Sequence, residues 1–329
     1  MHAQLKLATL LAATGLALGG LAWRGQALAQ AEYPSQPVKM MVGNTAGSAS
    51  DNLGRIIAGR LSQTMGQQFL IVNQPGAGGT IAAEAVARAA PDGYTLYITS
   101  TQAHAISPHL YPKARYKPLE DFAAVTMVAK TENILVVAPS LPFKSVADIV
   151  AHAKANPGKL NMANAGPGSQ SHLAGALFTH KAGIEVLHVP YKGAASVTAV
   201  VGAQNDLTIA PMPALSGLIN GGKLRALAMG GATRSKLLPD LPTIEESGVK
   251  GYASTGWTGI VGPKGMPQVA IDKLRAGINK ALDEPAIREA LIRAGGEPWT
   301  TTAAEMQRFM AEDQERYGEA VRITGAKVE

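Results

Sequence analysis

Three segments of the sequence place glycines and small hydroxyl residues directly after an apolar, β-branched run and directly before a helical pattern. They are Val42-Gly43-Asn44-Thr45-Ala46-Gly47-Ser48-Ala49-Ser50-Asp51, Asn73-Gln74-Pro75-Gly76-Ala77-Gly78-Gly79-Thr80, and Asn164-Ala165-Gly166-Pro167-Gly168-Ser169-Gln170-Ser171-His172. At such a junction the first helical turn leaves backbone N–H groups unbonded and the helix dipole concentrates positive potential there. The chemistry on offer is the capture of an anion. Gly47, Ser48, Gly168 and Ser169 are small enough to let a ligand reach the backbone, while Ser50 and Ser171 either donate hydroxyls or cap their helices. A tight strand-to-helix connection with no ligand accounts equally well for any one segment.

Other chemistries find incomplete machinery. No segment carries the Lys followed by Ser or Thr that a nucleotide-binding P-loop needs, and Ile81 stands where the third glycine of a dinucleotide fingerprint would follow Gly76 and Gly78. Gly168 to His172 has the outline of a nucleophile elbow, but Gln170 occupies the nucleophile position and His172 the last glycine. Ser171 and His172 are adjacent on one helix, so they project in different directions and form no dyad. Of the seven histidines, only His152 lies one helical turn from a carboxylate, Asp148, and two ligands do not make a zinc site. His172 opens a helix, where packing or capping competes with a ligand contact, and His188 sits in a strand as a core residue. No catalytic residue, metal or cofactor is expected.

The elements that must position these loops alternate along the chain. Strands are expected at Val38–Val42, Gln68–Val72, Thr95–Thr99, Leu135–Ala138, Leu160–Asn164, Val186–Val189, Leu207–Ala210, Leu224–Met229 and Thr258–Val261. Helical patterns fall between them at Asp51–Met65, Ile81–Ala90, Val146–Ala155, His172–Lys181, Ser196–Gly202, Ala214–Asn220 and Val269–Asp283, and more follow from Pro285 onward. Ser145 with Asp148, and Thr302 with Glu305, are helix-start signals. This alternation is that of an α/β protein with mainly parallel strands. Two stretches look like crossings between larger units: Lys130–Leu135 and Gly251–Trp257.

The N-terminus sets the compartment. Lys6, the mostly apolar run Leu7 to Ala22, and then Ala27-Leu28-Ala29 make a signal peptide pattern with cleavage after Ala29. The competing reading, a membrane anchor, is weakened by the glycines in the run and by its end at Trp23-Arg24. Losing Lys6 and Arg24 takes the formal charge from +6 to +4, a modest excess compatible with an anionic ligand. There is no cysteine in the 329 residues, which excludes disulfides and a lipid-modified N-terminal cysteine. Aromatic residues are 5% and no Lys/Arg-rich run appears, so nucleic acid is not an expected partner.

Taken together the motifs resemble one family, the periplasmic substrate-binding proteins of tripartite tricarboxylate transporters, known as the Bordetella uptake gene family. The matching residues run from Tyr33-Pro34-Ser35-Gln36-Pro37-Val38 through Val72-Asn73-Gln74-Pro75-Gly76-Ala77-Gly78-Gly79, Ala87-Arg88-Ala89-Ala90-Pro91-Asp92-Gly93-Tyr94-Thr95-Leu96 and Asn156-Pro157-Gly158-Lys159-Leu160. His188-Val189-Pro190-Tyr191-Lys192-Gly193, Leu241-Pro242-Thr243 and Gly262-Pro263-Lys264-Gly265-Met266-Pro267 continue the series. The resemblance implies a type II periplasmic-binding-protein fold, with two α/β lobes and a ligand cleft between them. Residues 30–133 and 256–329 would form lobe 1 and residues 134–255 lobe 2. It implies a monomer with no enzymatic activity that captures a small carboxylated organic anion, through main-chain N–H groups and water, for the membrane subunits of such a transporter. The first carboxylate-binding loop falls on Thr45, Ala46, Gly47, Ser48, Ser50 and Asp51, and the second on Ala165, Gly166, Gly168, Ser169, Gln170 and His172. A third contact region covers Ser100 to Gln102, including Thr101 and Gln102. Asp206 matches a favoured position, as a cleft residue or as a turn-capping acid.

The first loop departs from the family. Ala46-Gly47-Ser48-Ala49-Ser50-Asp51 replaces an Ala-Gly-Gly-Ser-Thr-Asp pattern, and Gly43-Asn44 replaces a proline and an aromatic residue. Two other readings stay open: a periplasmic sensor of the same fold that signals to a membrane receptor, and an enzyme of the α/β hydrolase or dehydrogenase type, against which the incomplete motifs argue.

Overall fold

The structure is a computed structural model and describes residues 33–191, 195–235 and 237–327. The signal peptide and its cleavage after Ala29 lie outside these residues. The chain opens with β1 (Val38–Val42), α1 (Ala49–Thr64), β2 (Phe69–Asn73), α2 (Thr80–Ala87) and β3 (Thr95–Ser100). β1 pairs in parallel with β2 on one side and β3 on the other, as an alternating strand–helix pattern requires. After β3 comes a π-helical turn, Gln102–Ile106, which runs into the one-turn α3 (Ser107–Leu110).

β4 (Phe122–Val137) then runs for 16 residues. The strand expected at Leu135–Ala138 is the end of the longer β4, and the crossing expected at Lys130–Leu135 is made by that strand itself, which leaves one sheet at Glu132 and enters the other at Asn133. The polar run Lys130-Thr131-Glu132-Asn133 reads as a break, yet Lys130, Thr131 and Glu132 stay in register with β9 and Asn133 with β7. Beyond β4 lie α4 (Val146–Ala155), β5 (Asn161–Asn164), α5 (Gln170–Ala182), β6 (Leu187–Pro190), α6 (Ala195–Val201), β7 (Leu207–Pro211), α7 (Met212–Asn220) and β8 (Arg225–Met229). β9 (Thr255–Pro263), α8 (Gln268–Asp283), α9 (Pro285–Arg293), β10 (Glu297–Pro298) and α10 (Ala303–Thr324) complete the chain. The two expected capping boxes form, Ser145 with Asp148 and Thr302 with Glu305.

β4 belongs to two sheets. Its first half lies antiparallel to β9, with β10 beside it, so the first sheet runs β2-β1-β3-β9-β4. Its second half, from Asn133 on, lies antiparallel to β7 and β8, and the second sheet continues through β5 to β6. Each sheet has apolar layers on both faces. In the first, Val38, Met40 and Val42 pack on Leu53, Ile57, Leu274 and Ile278, while Tyr97, Met127 and Trp257 pack on Met306 and Met310. In the second, Leu135 and Val137 pack on Ile149, Leu177 and Phe178, while Ile134 and Val136 pack on Val197, Val200 and Leu215.

Three segments meet where the sheets join. Gly230 N–H donates to the Asn133 carbonyl at 2.7 Å and Ser254 N–H donates to the Gly230 carbonyl at 2.7 Å. The Asn133 side chain, fully buried, donates to Ser254 Oγ at 2.9 Å. A fifth apolar cluster closes the seam beside this junction, with Leu110 from α3, Leu173 from α5, and Tyr317 and Val321 from α10. α10 therefore touches both halves: Met306 and Met310 pack in the first, and Ile323 packs against the core of the second.

Candidate functional site

A cavity of about 160 Å³ lies between the two halves. Asn44, Ser48, Ala49 and Ser50 border it from the first glycine-rich loop, Ser100, Thr101 and Gln102 from the end of β3, and Thr131 from β4. Gln170, at the start of α5, Pro211, at the end of β7, and Gly256, Trp257 and Thr258, from β9, complete the wall. Every one of these side chains is uncharged.

Two helices begin at this cavity. Ser48 caps α1, its Oγ accepting from Asp51 N–H at 3.3 Å, and Ser169 caps α5, its Oγ accepting from His172 N–H at 3.2 Å. Caps satisfy only part of a first turn. The N–H groups of Ala49 and Ser50 in α1, and of Gln170 and Ser171 in α5, have no acceptor among the described residues. Ala49, Ser50 and Gln170 are themselves on the cavity wall. The arrangement can hold a negative charge between two positive helix ends without a cationic side chain.

Around this wall the two loops are braced internally. Asp51 is 1% exposed. Its carboxylate accepts from Gly47 N–H at 2.8 Å, from Arg55 Nε at 2.9 Å and from Asn73 Nδ2 at 2.9 Å. Burial alone would raise its pKa, but the hydrogen bonds from Arg55, Gly47 and Asn73, with the Arg55 charge, hold it below the ordinary carboxylate value. Asn73 also donates to the Asn44 carbonyl at 3.1 Å, which ties the loop to β2. In the second loop, Ala165 N–H donates to Ser171 Oγ, Gly166 N–H to Asn164 Oδ1, Gly168 N–H to His172 Nδ1 and Ser169 N–H to the Gly166 carbonyl. Burial lowers the pKa of His172, which keeps Nδ1 available as that acceptor.

Of the residues expected at the site, Ser48, Ser50, Thr101, Gln102 and Gln170 border the cavity. Thr45, Ala46 and Gly47 are exposed and do not border the cavity, and Asp51 is buried. Ala165, Gly166, Gly168, Ser169 and His172 form the second loop's frame, with their N–H groups engaged as described. Gly168 has φ +70°, and a Cβ there would stand 2.5 Å from Leu110 Cδ1, so this position holds the two halves in contact. Asp206 is away from the cavity wall; its Oδ2 accepts from Asn161 N–H at 2.8 Å, which is the turn-fixing role.

Sequence reasoning missed Asn44, Ala49, Thr131, Pro211, Gly256, Trp257 and Thr258 as wall residues. A signal existed for three of them, because Thr131, Gly256 and Trp257 fall inside the two stretches expected to cross between units. Trp257 is 2% exposed and clamped from behind. Its backbone N–H donates to Thr101 Oγ1 at 2.9 Å and its indole Nε1 to Asp313 Oδ2 at 2.7 Å. The Asp313 carboxyl is fully buried, and desolvation lifts its pKa to about 6 against the pull of Trp257 and Arg316. Among the described residues no group of three or more His, Cys, Asp or Glu could hold a metal.

Comparison with known proteins adds independent findings. Residues 53–325 match the model of the tripartite tricarboxylate transporter family receptor. Protein BugT of Bordetella pertussis is 36% identical over 298 residues, covering 90% of this chain and 91% of that protein. The structure of R. palustris Rpa4515 with adipate superposes with a TM-score of 0.77 at 35% identity, covering 90% of this chain and all of that one. MatC of Rhodopseudomonas palustris with bound malate superposes with a TM-score of 0.73 at 29% identity, covering 88% and 100%.

Proposed function

The chain belongs to the tripartite tricarboxylate transporter receptor family, and from that footing we propose that it captures a small carboxylated organic anion outside the cytoplasm and delivers it to the membrane subunits of such a transporter. As a member of this family it is a solute-binding receptor and not an enzyme. In this reading the signal peptide is removed after Ala29 and the mature protein works in the periplasm as a monomer. Residues 30–133 with 256–329 form one lobe, residues 134–255 the other, and the cavity between them is the ligand site.

One observation carries the reading: both helix N-termini that open onto the cavity belong to loops on opposite halves, and the wall between them bears no charge. Backbone dipoles of this kind hold a carboxylate while leaving no buried cation to neutralise when the ligand departs. The adipate and malate in the two similar structures support carboxylate as the ligand class.

The test uses full-length protein expressed in a Gram-negative host and recovered from the periplasmic fraction, where its intact mass should correspond to a start at Gln30. A thermal-shift panel of organic carboxylates, malate and adipate included, should contain at least one that raises the melting midpoint strongly. Ligand at about 100 times its dissociation constant adds about 2.7 kcal/mol. A product that retains Met1 would refute the export reading, and a panel with no stabilising member would refute the carboxylate reading.

A further inference from the structure

Resting on that reading, we infer that Asp313, in the C-terminal helix α10, is a positioning residue for the ligand site: it sets the side chain of Trp257 on the cavity wall and, through Trp257, that of Thr101. Asp313 is not itself on the wall. It lies 56 residues from Trp257 in the chain, and the bond between them, from indole Nε1 to Oδ2, is 2.7 Å long. Its other oxygen, Oδ1, accepts from Arg316 Nη1 at 2.9 Å, so the two partners do not compete. A carboxylate buried as fully as this one is costly unless both oxygens are satisfied. The Arg316 pair does not account for the burial. It joins residues one turn apart on the same helix, with the Arg316 side chain 28% exposed, and such a pair forms equally well on a helix surface. The indole bond is the one that leaves α10 and requires the carboxyl to be inside. Arg316 cancels a negative charge that would otherwise stand behind a site for an anion.

The Trp257 ring meets His104 and Phe309 edge-on, with centroids 6.2 Å and 6.3 Å away. Contacts of this kind tolerate rotation about the bond to the indole, whose torsional preference is broad. A charge-assisted bond to Nε1 admits one orientation. The backbone of Trp257 is held as well: its N–H donates to Thr101 Oγ1 at 2.9 Å, and Thr101, 2% exposed, borders the cavity. Accepting at Oγ1 leaves the Thr101 O–H as a donor. Gly256 and Thr258, on either side of Trp257, are wall residues too, so a Trp257 that swings out of place displaces a continuous strip of the wall.

The test measures binding of malate and adipate by calorimetry on protein recovered from the periplasm, at about pH 7.5, above the value of about 6 to which burial lifts the Asp313 carboxyl, so that it is ionised. Asp313→Asn keeps an oxygen for the indole and should hold the dissociation constant of the tighter of the two within about threefold of the parent. Asp313→Leu leaves the indole N–H without an acceptor and should weaken binding at least about tenfold. It also lowers the melting midpoint, so a second variant combines it with Trp257→Phe and removes donor and acceptor together. That double variant should recover the midpoint toward the parent and keep the weak binding, because the wall has lost its anchor. In a Trp299→Phe background Trp257 is the only tryptophan beyond the expected cleavage site. Its emission should shift in Asp313→Leu and not in Asp313→Asn. Parent-level affinity in Asp313→Leu, or affinity that returns with the midpoint in the double variant, overturns the positioning role and leaves the receptor reading standing. A parent protein that binds neither acid at millimolar concentration overturns the inference too, and the wider carboxylate panel then decides the receptor reading separately.

Discussion

Glu132 occupies the point on β4 where the strand passes from one sheet to the other, and the residue is 6% exposed. Burial raises its pKa from 4.5 to about 7; the Lys130 ammonium opposes this, the Glu297 carboxylate adds to it, and the nearby Gly231 N–H opposes it. A carboxyl whose folded pKa is raised keeps its proton longer in the native state. It imposes no penalty below its unfolded value, and stability falls as pH rises from about 4.5 through about 7. Glu132→Gln removes that penalty. The variant should therefore melt higher than the parent at pH 8, by an amount on the order of 2 kcal/mol, with the difference shrinking toward pH 4.5 in a series of calorimetric melts. A gap that is constant across the series would show that Glu132 ionises normally in the fold. Asp51 works in the opposite sense, because its lowered pKa adds stability that is lost only in acid, as pH falls through its folded value.

At the scale of elements, the parallel strands and the helices between them were legible because apolar runs and capping residues repeat without interruption from β1 to β3 and from α4 to β8. β4 was not, because it is buried on both faces and so lacks alternation, and its four polar residues fall where two sheets meet. The turn Gln102–Ile106 was hidden for a related reason. It is held by tertiary bonds, with the fully buried His104 linking Thr99 Oγ1 at 2.7 Å and the Pro118 carbonyl at 2.8 Å, and Ser107-Pro108 reads as a break. The loops bordering the site were legible from glycine and cap residues, but the chain does not announce which N–H groups its own side chains will consume. The seam between α3, α5 and α10 was not visible at all, since no local pattern distinguishes Leu110, Leu173 and Val321 from ordinary core residues. Leu173→Ala leaves a void there and should destabilise the protein by about 3 kcal/mol, read as a lowered urea midpoint at unchanged slope. A loss under about 1 kcal/mol would mean that the seam collapses to fill the space.

For the whole molecule, the proposed site would divide its ligand contacts between two halves, and neither helix end would suffice alone. An exposed helix terminus contributes about 0.3 to 1 kcal/mol, whereas micromolar affinity needs about 8 kcal/mol, so the rest must come from enclosing the ligand. Enclosure here means the Leu110 side chain lying against Gly168 across the gap. Motion about the strands at Asn133 and Thr255 would open and shut that contact. Saturating ligand should lower the radius of gyration in small-angle scattering and change the fluorescence of Trp257, whose ring backs the cavity. A ligand that binds tightly and alters neither would place the site within one half. The strand shared by both sheets has a further consequence, for how the chain can be divided. β4 supplies a strand to one sheet and a strand to the other, and α10 returns to cover the seam. A fragment cut between the two halves would leave each with a torn sheet and an uncovered core, so the protein is bilobed in shape yet indivisible in construction, and neither lobe can be exchanged or excised as a module.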